Sequence, residues 1–317
     1  MNRLVLIDGN AILHRAFHAL PPLTAPDGSV VNAVYGFVSI LIKIFNDLKP
    51  THLAVAFDRP EPTFRKSLYK DYQAKRPEME DALSSQISKV QDVVRAFGIP
   101  IYDKAGFEAD DVIGTITVKS KVKSQKSKVS IDEIVIVTGD KDILQLVNDK
   151  RGVKVFMPTK GLSEGKLYGE TEVVERLGVS PKQIPDLKAL MGDASDNYPG
   201  VPGIGPKTAI SLITRYGNIY TLYKSDGLTE KLLKGKENAF LSRDLATIRS
   251  DVPIEIGELR GIATLNTPEV REILEKYHFP SLLKRLGGID VGMIGRSEDE
   301  KKKMKIEEKS GKQQELF

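Results

Sequence analysis

Leu4-Val5-Leu6-Ile7-Asp8 is a short apolar run that ends in a carboxylate. The arrangement returns twice: Leu53-Ala54-Val55-Ala56-Phe57 precedes Asp58, and Ile134-Val135-Ile136-Val137 lies just before Asp140. Continuous runs of this length, separated by helix-like segments, read as strands of a parallel sheet covered on both faces. In such sheets the ligand crevice lies beyond the carboxyl ends of the strands. Asp8, Asp58 and Asp140 are therefore expected to meet there.

Further carboxylates belong to the same set. Gly106-Phe107-Glu108-Ala109-Asp110-Asp111 opens a helix, with Glu108 and Asp111 on one face and Asp110 turned by about 100°. A single acid there would only complement the helix dipole; three beside strand-end carboxylates point to metal. Thr138-Gly139-Asp140-Lys141-Asp142 places alternating acids in a tight turn, and Met191-Gly192-Asp193-Ala194-Ser195-Asp196-Asn197 adds two more. Asp8, Asp58, Glu108, Asp110, Asp111, Asp140, Asp142, Asp193 and Asp196 gathered in one crevice repel each other, which raises their pKa values. Divalent cations relieve that repulsion, and hard oxygen ligands suit Mg²⁺ or Mn²⁺. The natural chemistry is metal-assisted attack on phosphate esters.

The 317 residues, 40% hydrophobic and 28% charged, fit a globular protein of two domains. With no cysteine, disulfides, thiolate nucleophiles and Cys-ligated zinc are excluded. No apolar stretch is long enough to span a bilayer, and no signal-peptide pattern opens the chain, so a cytoplasmic location is expected. The net charge of +4 conceals a negative site within a more basic surface, which suits a polyanion held for attack.

Residues 1–185 alternate strand and helix patterns. Asn10 is the expected cap of a helix over 11–19, Val31 to Leu48 forms a long apolar helix closed by Pro50, and Asp81 to Phe97 forms another, with Leu83, Ile87, Val90 and Val94 on one face. Residues 59–80 are rich in Arg, Lys, Pro and Tyr, a polar connection at the mouth of the crevice. Lys119 to Lys128 carries five lysines and reads as a solvated stretch. Residues 186–292 are expected to be all-helical, and 293–317 to be a disordered charged tail.

The second half opens on Pro199-Gly200-Val201-Pro202-Gly203-Ile204-Gly205-Pro206-Lys207-Thr208. A glycine-rich turn before a helix offers backbone N–H groups to phosphate. It is not a Walker A loop, because Pro206 stands where that loop needs glycine. It resembles a helix-hairpin-helix, which grips duplex backbone without reading sequence. His14 and His18, four apart, lack the glutamate and third ligand of a zinc site, so packing or a DNA-facing role is expected.

Together these residues resemble the 5′ nuclease family, which includes the 5′→3′ exonuclease domain of bacterial DNA polymerase I and the flap endonucleases. The likeness runs from Leu4 to about Gly288 and is carried by Leu6-Ile7-Asp8-Gly9-Asn10, Ala33-Val34-Tyr35-Gly36-Phe37, Phe57-Asp58, the Glu108 and Asp140 segments, Asp193 to Asn197 and Gly203-Ile204-Gly205-Pro206-Lys207. It implies a PIN-like α/β domain with a central, mostly parallel sheet and helices on both faces, and an all-helical domain with a helix–three-turn–helix motif. Asp8, Asp58, Glu108 and Asp110 would surround one metal; Asp111, Asp140, Asp142, Asp193 and Asp196 would hold a second directly or through water. A potassium ion would sit near the backbone of Val201 and Ile204. Arg65, Gly203, Gly205, Lys207 and Thr208 would contact DNA.

Relatives usually show Tyr-Lys-x-x-Arg in the arch over the site; this chain has Tyr72-Gln73-Ala74-Lys75-Arg76. Tyr72, Lys75 and Arg76 are the catalytic candidates, with Lys75, Lys70 or Arg65 replacing the missing positive charge. The C-terminal Lys312-Gln313-Gln314-Glu315-Leu316-Phe317 resembles sliding-clamp peptides, with Gln313, Leu316 and Phe317 as contacts, and suggests a stand-alone monomeric chain rather than a polymerase fragment. The expected function is structure-specific cleavage of DNA flaps and RNA primers in replication and repair. The rivals are a catalytically weak relative that only binds branched DNA and a PIN-type ribonuclease.

Overall fold

The computed structural model describes residues 1–120, 130–160, 164–257, 259, 261–262 and 264–287. Lys121 to Lys128, the charged tail 293–317 and its clamp-peptide candidates Gln313, Leu316 and Phe317 lie outside the described residues.

Among the described residues six strands form one sheet: β1 (Arg3–Asp8), β2 (His52–Ala56), β3 (Ile101–Tyr102), β4 (Glu133–Val137), β5 (Val153–Lys160) and β6 (Glu164–Tyr168). Their order is β3-β2-β1-β4-β5-β6, parallel except for the antiparallel edge pair β5–β6. The expected parallel sheet is present, and the alternation along its strands explains why the runs carry no polar residues. Val5, Ile7, Leu53, Val55, Val135 and Val137 enter one core, while Leu4, Leu6, Ala54, Ala56, Ile134 and Ile136 enter another on the opposite face. Both faces lose water, so apolar side chains are favoured at every position.

The first core is closed by helices Gly9–Ala19, Asn32–Leu48 and Ile87–Ala96. The last two described helices, Pro268–Lys276 and Pro280–Gly287, return to this layer and pack on Ile87–Ala96 and Asn32–Leu48. The second core is covered by Ala109–Ser120 and continues into Ile184–Met191, Pro206–Tyr216 and Lys236–Ala246. No helix among the described residues is long and apolar enough to cross a membrane.

The helix expected over 81–97 is broken into Asp81–Ser84 and Ile87–Ala96. The fully buried Gln86 at the break accepts from the amides of Ala33 and Val34 and donates to Asn32 Oδ1 and the Ala82 carbonyl. One amide side chain thereby satisfies the open N-terminus of a neighbouring helix, a need that periodicity does not register.

Candidate metal centre and nucleic-acid cleft

The chain turns one way from β1 to β2 and β3, and the other way to β4 and β5. The crevice therefore opens beside the carboxyl end of β1. Asp8 stands there. Its Oδ1 accepts the Ala11 amide at 2.9 Å and caps the helix that follows; its Oδ2 accepts the Thr138 hydroxyl at 2.7 Å, joining the ends of β1 and β4. Asp8 thus takes the capping role expected of Asn10, because it already holds extended backbone at the strand end. Asn10 instead accepts the amide of Asp58 at 3.0 Å. Asp58 reaches across to the Ala109 amide at 2.7 Å, at the start of the helix whose first turn carries Asp110.

Asp8, Asp58, Glu108, Asp110, Asp140, Asp142 and Asp196 line one cleft of about 1340 Å³. Burial, then Asp58 and Asp140, push Asp8 up to about 7, against the Ala11 and Thr138 bonds that pull it down. Burial does the same to Glu108, also to about 7, although Arg65 opposes it. Asp110 rises well above the ordinary carboxylate range through burial and its neighbours Asp140 and Asp8, and Asp58 rises through burial. Several acids crowd a site that burial makes hostile to their own charge.

Asp142, Asp193 and Asp196 form a tighter group, with one oxygen from each within 4.8 Å of the others. Asp193 and Tyr198 pair through both backbone bonds at 3.0 Å, making a small hairpin that presents Asp193 and Asp196. Gly200, at φ 60°, lies against Gly192 so closely that an added Cβ would come 2.2 Å from the Gly192 nitrogen. Lys188, from helix Ile184–Met191, donates to Asp142 and to Asp193, the latter at 2.6 Å. Burial would raise Asp193, but Lys188 and Ser195 outweigh it and hold Asp193 at about 2. Asp142 stays up at about 6, because burial and the facing Asp140 and Asp193 offset the same ammonium.

The arch segment 59–80 folds down over these groups. It contains helix Phe64–Leu68, after which Tyr72 stacks on Tyr198 at 6.5 Å between ring centroids. Thr63 and Tyr72 donate to opposite oxygens of Glu108, at 3.2 and 3.3 Å. Gln73 is in the left-handed region at φ 55°; its amide donates to the Asp196 carbonyl at 2.8 Å and its side chain to Asp196 Oδ1 at 3.1 Å. Arg76 donates to the same oxygen at 3.1 Å and lines the cleft. Lys70 and Lys75 are exposed, and Lys75 is not among the cleft-lining residues.

Two expected roles are corrected. Arg65 is only 3% exposed, and all its donor nitrogens are taken within the protein. It forms a forked pair with Asp111 at 2.6 and 2.9 Å and donates to the carbonyls of Leu245 and Thr247. Asp111 is fully buried and also accepts the amides of Glu108 and Arg249. Neither side chain has a free group for DNA or a cation; a planar guanidinium opposite a buried carboxylate is an internal tie. Periodicity puts Asp111 on the face of Glu108, and Arg65 reaches both, but Glu108 lines the cleft while Asp111 is fully buried behind it.

His14 and His18 line the cleft with ring centroids 6.3 Å apart, and burial lowers the His14 pKa. Gly203 has φ 79°, and Gly205, Lys207 and Thr208 lie exposed at the start of helix Pro206–Tyr216, outside the cleft lining. The Val201 carbonyl accepts the Ile204 amide at 3.0 Å within that turn. Thr138, Lys188 and Tyr198 escaped the sequence reading. Lys188 left one signal, a basic residue between Leu187 and Ala189-Leu190 on a buried helix. Thr138 and Tyr198 left none, since their partners are distant or across a loop.

The donor set fits divalent cations: buried oxygens from several elements, mutually repelling, with pKa values driven upward. Comparison with known proteins agrees. A family model for the 5′-3′ exonuclease N-terminal resolvase-like domain matches residues 3–178, and one for the 5′-3′ exonuclease C-terminal SAM fold matches residues 179–271. DNA polymerase I of Caldicellulosiruptor bescii is 42% identical over 296 residues, 91% of this chain and 34% of that protein. DNA polymerase I of Bacillus subtilis is 41% identical over 295 residues, 90% of this chain and 32% of that one. The chain thus spans about a third of the length of these curated relatives. In fold it is similar to the D15 flap endonuclease of bacteriophage T5, solved as a complex with DNA and metal ions: TM-score 0.63, 22% identity, 87% of this chain and 100% of that one. Because the two family models run end to end across the sheet, the acidic cleft and the helical half, the chain belongs to the 5′-3′ exonuclease family.

Proposed function

We propose that the protein is a structure-specific 5′ nuclease. It hydrolyses phosphodiesters near the junction of a duplex and a 5′ single strand, in DNA flaps and RNA primers. The observation that carries this reading is the convergence of Asp8, Asp58, Glu108, Asp110, Asp140, Asp142 and Asp196 in one cleft, with Asp193 grouped beside Asp142 and Asp196. Asp8, Asp58, Glu108 and Asp110 would hold one divalent cation, and Asp142, Asp193 and Asp196 a second, with Asp140 between them. Bound there, two cations would supply water activation and charge neutralisation for a phosphodiester.

The chain's own residues do the rest. Asp8 and Thr138 fix the strand ends, so the carboxylates need no reorganisation when substrate arrives. Arg76 is an arch cation that lines the cleft, as Arg59 and Lys66 also do, and is placed to meet a phosphate. Tyr72 and Thr63 orient Glu108. The exposed Gly203–Thr208 turn, leading into Pro206–Tyr216, would grip duplex phosphates away from the cut, with a potassium ion near Val201 and Ile204 as a further element of that grip. The T5 relative's complex with DNA and metal ions supports both halves of this reading. On sequence alone, Gln313, Leu316 and Phe317 are proposed to dock a sliding clamp, with the enzyme acting as a monomer of two domains, the second beginning near residue 186, although helices Pro268–Lys276 and Pro280–Gly287 pack back on the first.

One observation favours the weaker reading, a branched-DNA binder with slow cleavage: Gln73 engages Asp196 where relatives usually carry a lysine. Digestion of a 5′-labelled DNA flap with and without Mg²⁺ tests the proposal. Mg²⁺-dependent products cut near the junction are expected; retained flap binding without cleavage would select the weaker reading. Cleavage of single-stranded RNA in preference to the flap would select a ribonuclease.

A further inference from the structure

Lys188 lies among the carboxylates assigned to the second cation, on a helix that otherwise contributes to the core. Its ammonium donates to Asp142 and, at 2.6 Å, to Asp193. Those two acids and Asp196 have ligand oxygens within 4.8 Å of one another. All three partners are largely withdrawn from solvent, with side-chain exposures of 14% for Lys188, 16% for Asp142 and 15% for Asp193, so solvent screens their charges weakly. An ammonium bridging two acids neutralises part of the charge that would draw in a divalent ion.

A second observation points to a ligand at the same place. Tyr198 is 4% exposed, and its hydroxyl has no hydrogen-bond partner among the described residues. It belongs to the hairpin that carries Asp193 and Asp196, and the charged groups acting on its phenol are Lys188, Asp142, Asp193 and Asp196. A buried phenol beside a triad already bridged by lysine is poorly satisfied. A divalent ion that keeps part of its hydration brings water to that place.

We propose that Lys188 is a resident counter-ion that competes with the second divalent cation. The cation enters the Asp142–Asp193–Asp196 triad by displacing the ammonium, and Tyr198 then donates to the ion's hydration shell. Released from the triad, Lys188 is free to pair with the phosphodiester of a bound strand. Cation uptake and substrate charge are thereby coupled: a phosphate that engages Lys188 favours filling of the second site. The inference rests on the two-cation reading above.

Mn²⁺ titration of the full chain without DNA, followed by electron paramagnetic resonance, separates the possibilities. Wild type is expected to bind two ions with unequal affinity. Lys188→Met should tighten the weaker site about tenfold, and Lys188→Arg should leave it near the wild-type value. Tyr198→Phe should weaken that site by about threefold. Unchanged or weaker binding by a natively melting Lys188→Met overturns the competition, and unchanged binding by Tyr198→Phe overturns the role of the phenol. No Mn²⁺ uptake by wild type would remove the two-cation reading itself. Should Lys188→Met not fold, ¹⁵N-lysine spectra of wild type decide the matter. Mg²⁺ should shift the Lys188 ammonium signal, and an unmoved signal at saturating Mg²⁺ sinks the idea.

Discussion

Asp140 and Gln73 are the two residues whose replacement tests the chemistry most directly. Asp140 sits between the two acidic groups: it acts on Asp8 and Asp110 on one side and on Asp142 on the other. Asp140→Ala should reduce flap cleavage by at least about a hundredfold while flap affinity changes little, because the duplex grip proposed for the Gly203–Thr208 turn lies outside the cleft. Parallel cleavage and gel-shift measurements check this, and equal loss of both would contradict the assigned role. Gln73 donates to Asp196 but brings no charge. Gln73→Lys adds a cation at the arch and should raise single-turnover cleavage by about tenfold. An unchanged rate would mean that Arg76 already supplies what is needed.

At the scale of elements, the arch and the Asp193–Tyr198 hairpin decide how the site is held. The arch is tied down by Arg65, whose guanidinium pairs with Asp111 at the inner face of helix Ala109–Ser120. Arg65→Ala leaves a fully buried carboxylate unpaired and should cost about 3–5 kcal/mol in urea unfolding. A loss below about 1 kcal/mol would show the pair to be dispensable. The hairpin depends on Gly200, whose positive φ and contact with Gly192 leave no space for a methyl group. Gly200→Ala should lower stability by about 1–3 kcal/mol, and cleavage more steeply still, because Asp193 and Asp196 move with the loop. Calorimetry and flap cleavage on the same sample check both effects.

For the whole molecule, the acidic cleft links stability to pH and to cations. Asp8 and Glu108 lie at about 7 and Asp142 at about 6, all above their ordinary values. Between the ordinary carboxylate range and those values, the folded protein keeps protons that the unfolded chain has released. Stability must therefore fall as pH rises through that window. Asp193, held at about 2, acts oppositely, but its contribution is lost only in strong acid. In a chelator, the melting temperature should drop between about pH 4 and about pH 7, and Mg²⁺ should restore it at the upper end. A flat profile in chelator, or no response to Mg²⁺, would contradict an acidic cation site.

The three central strands were legible in the sequence because each is buried on both faces. Leu4 to Ile7, Leu53 to Phe57 and Ile134 to Val137 therefore carry unbroken apolar runs, each followed by an acid at a strand end. Those acids announced the cleft for the same reason, since a parallel sheet delivers its carboxyl ends to one side. Asp111 and Arg65 could not be told from their functional neighbours, because a carboxylate that binds a cation and one that binds a guanidinium are the same residue type. Only packing separated them, by turning one helix face inward and closing it with the arch. Thr138, Gln86 and Lys188 were equally hidden, because each acts on a partner set by the fold and not by local spacing. The sequence by itself thus determined the central strands and the convergence of charge, while the edge strands Ile101–Tyr102 and Glu164–Tyr168 left no such signal. Tertiary structure alone decided which charges face the cleft, because that depends on where burial leaves a partner within reach.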